Sequence, residues 1–262
     1  MITGLHNIGS GQLYCETVGT GVPVVFLHGF GLDLRMWEIQ AATLSDRFLV
    51  IRYDMRGYGR SSLPSAQPYA HADDLAALLS DLGIRSAHVV GLSNGGRNAL
   101  RFALAYPQAV RSLTLVDSAL DGYTWSDDWQ ARWSSIDHRA KSGDLRGAKQ
   151  MWIEHPLFAQ ARAQPDVARR LSEMVSDYSG WHWIHADPGV APEPPAIARL
   201  GMVRSPTLII VGGCDLPDFQ GIAEILASGI QGATKIVIPD AGHVSNMEAP
   251  VAFNEALLGF LE

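Results

Sequence analysis

The sequence predicts an α/β fold in which helices flank a mostly parallel central sheet. Short apolar runs alternate with helix-like segments along most of the chain, which is the order expected for parallel strands joined by helices. The 262 residues are 47% apolar and 18% charged, enough for one large buried core. A serine-containing turn, GLSNGG at 91–96, lies where a predicted strand passes into a helix. These observations indicate one α/β domain.

The first part of the chain predicts four strands and a helix. Apolar and polar residues alternate over 13–17, which suits a strand at a sheet edge. Continuous apolar runs at Val22–Leu27, Phe48–Tyr53 and 87–90 predict buried strands. The segment 73–83 predicts a helix, because it begins with two aspartates, carries leucines on one face and ends at a glycine.

The alternation resumes towards the carboxyl end of the chain. Residues 113–116, 207–211 and 235–238 are apolar runs typical of buried strands. A helix-like segment spans 219–230, and the large apolar side chains of a last helix, starting at Pro250, are in register. Strands separated by helices predict a parallel sheet.

The alternation stops between 121 and 200. This segment lacks long β-branched runs, contains helix-like stretches and ends in the proline-rich stretch 188–195. We therefore predict a helical cap at 121–200, inserted into a core formed by 1–120 and 201–262.

Most of the tryptophans lie in this predicted cap. They are Trp125, Trp129, Trp133, Trp152, Trp181 and Trp183. The first three are spaced four residues apart, which predicts one face of a helix. Aromatic stripes usually serve packing, and the same rings can line an apolar acyl pocket. The candidate pocket residues are Trp125, Trp129, Trp152, Trp181 and Trp183.

Ser93 is the candidate nucleophile. A strand-to-helix turn lifts its hydroxyl clear of the sheet, and the flanking glycines remove side chains that would clash there. A serine hydroxyl needs a base within hydrogen-bond reach and an acid to orient that base. His243 is the candidate base, because it follows the strand 235–238 through a short loop at the carboxyl end of a parallel sheet.

The candidate acid is Asp215, which follows the strand 207–211 directly. Asp218 is a rival that is more simply interpreted as a cap of the following helix. Asp117, at the end of the strand 113–116, is a second rival, although an aspartate in that position more often ties down a loop.

An oxyanion formed on attack requires two preorganised N–H donors. The backbone N–H of Asn94, at the start of the helix after the turn, is one candidate. The backbone N–H of Phe30, in the loop after Val22–Leu27, is the other. We interpret His28, at the head of that loop, as a structural hydrogen-bonding residue.

Composition restricts the partners of the chain. A net charge of −7 without a basic run argues against nucleic acid or an anionic membrane, so the expected partner is a small molecule. Cys15 and Cys214 are far apart and are expected to be free thiols. Residues 1–14 lack the pattern of a signal peptide and no apolar run approaches ~20 residues, so we expect a soluble, cytoplasmic protein.

A metal site has weak support in the sequence. His182 and His185 lie three apart in WHWIH, but no HxHxD, HExxH or carboxylate cluster accompanies them. We interpret them as partly exposed cap histidines and expect neither a metal nor a cofactor.

Five motifs together resemble the signatures of the α/β-hydrolase superfamily. They are HGFGLDLRMW, DMRGYGRSS, GLSNGG, GGCDLPDF and AGHVSNMEAP. The resemblance implies that Ser93, Asp215 and His243 occupy the nucleophile, acid and base positions. A serine where haloalkane dehalogenases and epoxide hydrolases carry aspartate implies an acyl-enzyme ester. The chain departs from many relatives at Gly31, where they carry proline, and at Asn94, where they carry an apolar residue such as methionine.

The resemblance and the residues together lead to a carboxylic ester hydrolase acting on a small, largely apolar ester or lactone. HGFGLDLRMW is also similar to cofactor-free perhydrolases of the haloperoxidase type and to aryl esterases. The lone serine and the predicted cap are compatible with enol-lactonases, and carbon-carbon bond hydrolases of ring-cleavage products share the same triad. A non-enzymatic ligand receptor on the same fold is an alternative of a different class. The sequence leaves these alternatives open.

Overall fold

A computed structural model describes residues 2–262, in which an eight-stranded, mostly parallel sheet forms the centre. The strands are β1 (Ile2–Asn7), β2 (Gln12–Val18), β3 (Val22–Leu27), β4 (Phe48–Tyr53), β5 (Ala87–Leu92), β6 (Val110–Val116), β7 (Thr207–Gly212) and β8 (Thr234–Ile238). Their order is β1-β2-β4-β3-β5-β6-β7-β8. The pairs β1–β2 and β2–β4 are antiparallel, and every pair from β4 to β8 is parallel. The predicted fold class is confirmed.

Helices connect the parallel strands and continue through the segment between β6 and β7. They are α1 (Glu38–Leu44), α2 (His71–Asp81), α3 (Asn94–Ala105), α4 (Asp127–Lys141), α5 (Leu145–Ile153), α6 (Ala159–Ala163), α7 (Pro165–Asp177), α8 (Trp181–Ile184), α9 (Pro217–Gly229), α10 (Ser245–Glu248) and α11 (Pro250–Leu261). Helices α4 to α8 all lie within 121–200, which we call the cap segment. Among residues 2–262, no helix combines the length and apolar character needed to cross a bilayer.

The edge of the sheet differs from the prediction. The strand predicted at the edge, β2, pairs with β4 on one side and with β1 on the other, so β1 is the edge strand. On β2, Leu13 and Cys15 are buried, which produced the apolar alternation. The side chains of β1 are exposed or half-buried. The edge strand therefore has no apolar pattern from which it could be predicted.

The loop after β4 is held by buried polar side chains of the DMRGYGRSS motif. The Asp54 carboxylate accepts hydrogen bonds from the backbone N–H groups of Leu34, at 2.9 Å, and Arg60, at 2.8 Å. The Arg56 guanidinium donates two hydrogen bonds, of 2.8 and 2.6 Å, to the Asp74 carboxylate on α2. Because both members of this ion pair are buried, each depends on the other for its hydrogen bonds. This motif therefore has a structural role.

The first helix of the cap segment begins later than the tryptophan spacing predicts. Ser126 caps α4 by accepting a hydrogen bond from the Trp129 N–H at 3.2 Å, so Trp125 precedes the helix. The three rings nevertheless stack. The ring centroids of Trp125 and Trp129 are 4.6 Å apart, and those of Trp129 and Trp133 are 6.3 Å apart.

Candidate active site

Ser93 lies at the junction of β5 and α3 in a backbone conformation that L-residues rarely adopt. Its φ is 56° and its ψ is −116°. Such conformations cost about 1–3 kcal/mol and persist only where the surrounding structure holds them. Here the Ser93 N–H donates to the Val116 carbonyl at 2.9 Å, and the Ser93 carbonyl accepts from the N–H groups of Arg97 and Ala119 at 3.0 and 3.1 Å. The turn is therefore fixed by β6 and the residues after it, and by α3.

Gly95 brings the start of α3 against β3. A Cβ atom at this position would clash with the backbone carbonyl oxygens of Leu27 and His28. Because of this close approach, the serine turn lies against the loop after β3. A Cβ on Gly29, in that loop, would be 3.8 Å from the Ser93 Cβ. The two loops predicted to hold the nucleophile and an oxyanion donor are therefore neighbours.

His243 and Asp215 are hydrogen-bonded in the loops after β8 and β7. The His243 Nδ1 donates to Asp215 Oδ2 at 2.8 Å, and both side chains are at most 2% exposed. The Leu216 N–H donates to Asp215 Oδ1 at 2.7 Å. A proton held on Nδ1 leaves Nε2 as the acceptor, which is the tautomer that a general base requires.

Phe219 lies between the His243–Asp215 pair and the cavity that contains Ser93. Its ring lies 4.2 Å from the His243 ring, and it lines the same cavity as Ser93. Within residues 2–262, no hydrogen bond connects the Ser93 hydroxyl directly to His243. Catalytic hydrogen bonds are often long without substrate and shorten in the complex.

Burial sets the protonation of this group. It lowers the pKa of His243 to about 4, against the opposing effect of the nearby Asp117 and Glu248 carboxylates. His243 is therefore neutral at pH 7 and able to accept a proton. Burial raises the pKa of the Asp215 carboxyl, while the hydrogen bond from the Leu216 N–H acts in the opposite direction.

The two rival aspartates have other partners. Asp117 accepts from the Gly212 N–H at 2.7 Å and from the Ser245 hydroxyl at 2.6 Å, which ties the end of β6 to β7 and α10. Asp218 does not cap α9 with its side chain. It accepts from the N–H and hydroxyl of Ser126, at 3.0 and 2.6 Å, and so connects α9 to the cap segment.

The backbone N–H groups of Phe30 and Asn94 make no hydrogen bonds within residues 2–262, so both are free to donate.

His28 has the structural role expected of it. Its Nε2 accepts from the Met55 N–H at 3.0 Å, and its Nδ1 lies 2.8 Å from the Gly29 carbonyl. Burial lowers the pKa of His28 to about 4, which keeps its ring neutral.

Gly31 explains the departure from the family pattern in this loop. Its φ is 71°, whereas proline is restricted to a φ of about −65°. A Cβ at Gly31 would lie 3.1 Å from the Trp152 Nε1. The loop of this chain therefore follows a path that a proline cannot adopt, in contact with the cap segment.

A cavity of about 490 Å³ opens above Ser93, within the size range of small-molecule sites. Aromatic rings form most of its wall, with a few polar side chains between them. Its lining residues are Phe30, Ser93, Asn94, Arg97, Ala119, Trp125, Trp129, Gln130, Trp133, Ser134, Trp152 and Phe219. The cavity is suited to an apolar molecule whose reacting group faces the serine.

The family profile described as "alpha/beta hydrolase fold" matches residues 22–250. The chain belongs to the α/β-hydrolase family. The matched residues include the serine turn, the loop after β3 and the loops after β7 and β8. The family match of this hydrolase therefore covers Ser93, Asp215 and His243.

Relatives of this hydrolase include lactonases and esterases. It is 26% identical over 240 residues to "3-oxoadipate enol-lactonase 1" of Acinetobacter baylyi, covering 91% of this chain and 88% of that protein. It is 31% identical over 261 residues to "Pimeloyl-[acyl-carrier protein] methyl ester esterase" of Chromobacterium violaceum, covering 96% and 98%. A solved thermophilic esterase from Thermogutta terrifontis superposes with a TM-score of 0.85 at 29% identity, covering 100% and 98%.

The tryptophans of the hydrolase divide between the cavity and the packing of the cap segment. Trp125, Trp129 and Trp152, three of the predicted pocket residues, line the cavity. Trp181 and Trp183 do not belong to its lining, in contrast to the prediction. Trp183 is fully buried and packs 5.6 Å from the Phe30 ring, and Trp181 stacks on His185 at 5.2 Å. Trp183 therefore packs behind the part of the cavity wall that Phe30 forms, whereas Trp181 packs against residues outside the lining.

The WHWIH histidines have aromatic partners. His182 is half-buried, lies 2.8 Å from the Tyr178 hydroxyl and stacks on Tyr58 at 4.4 Å. His185 is exposed. Within residues 2–262 there is no group of three or more histidine, cysteine, aspartate or glutamate residues arranged to hold a metal ion. Both cysteines are free thiols.

Sequence reasoning did not select six of the lining residues of this hydrolase, and two of these six, Phe219 and Arg97, contribute a ring against His243 and a cation. Phe219 has no signal beyond the apolar face of α9, because its contact with His243 depends on how two loops pack. Arg97 does have a signal, since it is a charged residue in the first turn of the helix that directly follows Ser93.

Proposed function

We propose that this chain is a serine hydrolase that cleaves a small, largely apolar carboxylic ester or lactone through an acyl-enzyme on Ser93. The observation that carries the proposal is the buried hydrogen bond of 2.8 Å between His243 and Asp215, next to a cavity that contains a strained serine. The names of the relatives, which include an enol-lactonase and a methyl ester esterase, support the same class of substrate.

The reaction proceeds in two halves. In the first, His243 takes the hydroxyl proton, the Ser93 oxygen bonds to the carbonyl carbon, and the alcohol leaves with the proton from His243. In the second, water attacks the acyl-enzyme with the same base, and the carboxylic acid is released. The N–H groups of Phe30 and Asn94 stabilise the oxyanion in both halves, and Asp215 stabilises the imidazolium. For a lactone, the alcohol remains attached to the product acid.

The cap segment is proposed to select the substrate. Trp125, Trp129 and Trp152 form the apolar wall that faces the acyl group, and residues 1–120 and 201–262 carry the reacting groups. Water-excluding aromatic walls strengthen the hydrogen bonds to the oxyanion, because the local dielectric constant is low.

Turnover of p-nitrophenyl acetate and butyrate by the wild type, Ser93→Ala and Ser135→Ala tests this proposal. Ser135 is a matched control, because it is exposed on α4 and bonds only to its own helix. We expect Ser93→Ala to lose several powers of ten in kcat, compared with about 10⁶ for removal of a protease serine. Ser135→Ala should behave as the wild type. Full activity in Ser93→Ala, or a wild type that only binds these esters, would contradict the proposal.

A further inference from the structure

Arg97 lies in the first turn of α3, one turn after the proposed nucleophile, and its backbone N–H donates to the Ser93 carbonyl at 3.0 Å. It follows Ser93 by four residues, one turn or about 6 Å along the axis of α3, and helical side chains lean towards the amino end. Arg97 accordingly lines the same cavity as Ser93. A cation therefore lies one helical turn from the reacting hydroxyl.

The Asp121 carboxylate forms only a long ion pair with this cation and is shared with Arg101. The nearest oxygen of Asp121 is 4.0 Å from the Arg97 Nε, and the Asp121 carboxylate already accepts hydrogen bonds of 2.7 and 2.6 Å from Arg101. The Arg97 Nε is buried without a hydrogen-bond partner. Its Nη2 donates to the side-chain oxygen of Asn94, a neutral amide. Within residues 2–262, the Nη1 makes no hydrogen bond, and 38% of the side-chain surface remains accessible.

Asn94 positions the guanidinium. Its side-chain oxygen accepts from Arg97, and its side-chain nitrogen donates to the Tyr58 hydroxyl at 3.4 Å. The apolar residue that many relatives carry here offers neither bond. The asparagine at position 94, where many relatives carry an apolar residue, thus uses its side chain to bind the Arg97 guanidinium.

The cavity wall presents no competing negative charge. Among the described residues that line it there is neither an aspartate nor a glutamate, and aromatic rings form most of the surface. Burial and the neighbouring Arg101 lower the pKa of Arg97, as expected for a cation in these surroundings. A guanidinium that faces an apolar cavity with free N–H groups is suited to an anionic group on the molecule that enters.

We propose that Arg97 binds a carboxylate of the substrate, so that this hydrolase acts on half-esters, or on lactones with a free acid group, in which the carboxylate lies a few bonds from the reacting carbonyl. The inference rests on the proposed function and narrows its substrate class. A single guanidinium matches the single charge and planar shape of a carboxylate. The aromatic wall then covers the carbon chain between the two groups.

Two esters of equal acyl carbon number test the inference. Monomethyl glutarate carries the carboxylate and methyl valerate does not, and acid release from both is followed in a pH-stat. The variants are Arg97→Met, Arg97→Lys and Arg132→Met. Arg132 is a control for the loss of one positive charge, because it lies on the exposed side of α4 and pairs with Asp128.

We expect wild type to prefer monomethyl glutarate. In Arg97→Met, the ratio of kcat/KM for monomethyl glutarate to kcat/KM for methyl valerate should fall about tenfold to a hundredfold, the range for a charge-assisted hydrogen bond. Arg97→Lys should be intermediate, because it keeps the charge without the planar fork. Arg132→Met should leave the preference unchanged.

Inhibition of methyl valerate hydrolysis by glutarate, compared with the neutral glutaramide, provides a readout that needs no variant. Stronger inhibition by glutarate supports the inference. Equal inhibition, or an equal loss on both esters in Arg97→Met, would overturn it, while Ser93-dependent hydrolysis of methyl valerate would leave the proposed function intact. A wild type that hydrolyses neither ester would overturn both.

Discussion

Ser93, the proposed nucleophile, has a strained backbone, and the strain has a measurable consequence. The left-handed φ of 56° brings the Cβ atom into unfavourable contacts that glycine avoids. Hydrogen bonds from β6 and α3 hold the conformation regardless of the side chain. The conformational free energy that the turn costs is therefore the same with serine or with alanine at position 93.

Replacing Ser93 by alanine or by glycine should separate this strain from the chemistry. Both variants lose the nucleophile. Ser93→Gly should be the more stable of the two by about 1 kcal/mol, because relief of about 1–3 kcal/mol exceeds the 0.5–1 kcal/mol that glycine loses in entropy. Chemical denaturation of both variants checks this. Equal stability, or a less stable Ser93→Gly, would mean that the turn is not strained.

The two buried aspartates near His243 should respond differently to the same substitution. Asp215→Asn is expected to lower kcat by about 10⁴, the value for the equivalent change in a serine protease, because the imidazole loses its orienting acceptor. Asp117→Asn should act mainly on stability, since Asp117 bonds to Gly212 and Ser245. Kinetics and thermal unfolding of both variants make the comparison. A larger kinetic loss in Asp117→Asn would assign the acid to Asp117.

The pH dependence follows from the burial of His243. The base must be neutral, and a lowered pKa keeps it neutral to lower pH, so kcat/KM should be flat around pH 7 and fall on the acid side below the ordinary histidine value of about 6.5. Glu248 raises the pKa of His243, so Glu248→Gln should move this acid limb to still lower pH. A limb at or above 6.5 in wild type, or an upward shift in Glu248→Gln, would contradict the assignment.

At the scale of the elements, the buried strands were predictable because each carries a continuous apolar run. The serine turn was predictable because its glycines mark close approaches. Strand β1 was not, since its side chains are exposed or half-buried and leave no apolar pattern. The contact of Phe219 with His243 and the division of the tryptophans depend on packing between elements distant in sequence, which local periodicity does not encode.

Helix α4 and helix α8 offer a matched pair of tryptophans. Trp129 lines the cavity, whereas Trp181 lies outside its lining and stacks on His185. Trp129→Ala should lower the preference for butyrate over acetate by about fourfold or more, since one methylene contact is worth about 0.8 kcal/mol. Trp181→Ala should reduce stability and leave the preference unchanged. The ratio of kcat/KM for the two p-nitrophenyl esters decides between these outcomes, and a change confined to Trp181→Ala would contradict the placement.

At the scale of the whole molecule, the cap segment is attached to the rest of the chain by side-chain hydrogen bonds as well as by its two chain connections. Asp218 on α9 accepts from Ser126 at the start of α4 and from the Tyr123 hydroxyl at 3.3 Å. These bonds fix the entry to the first cap helix next to Trp125 and Trp129. The shape of the cavity thus depends on a carboxylate outside it.

Asp218→Ala should loosen this attachment. We expect a loss of about 2 kcal/mol in stability, because bonds to a charged acceptor are removed, and faster hydrogen exchange at the first amides of α4. Asp128→Ala is the control, since Asp128 is exposed on the same helix and pairs only with Arg132. Unchanged exchange in Asp218→Ala, or equal effects of the two substitutions, would show that the cap segment is held by its apolar contacts alone.

The indole rings around the cavity have an optical consequence. Trp125, Trp129, Trp133 and Trp152 supply four of the seven indoles of the chain, and all four border the space that a ligand enters. Indole emission changes in wavelength and intensity with the polarity and the quenchers near the ring. We therefore expect the intrinsic fluorescence of the protein to change when its cavity fills and empties, so that stopped-flow records can time the proposed acylation and product release without a chromogenic substrate.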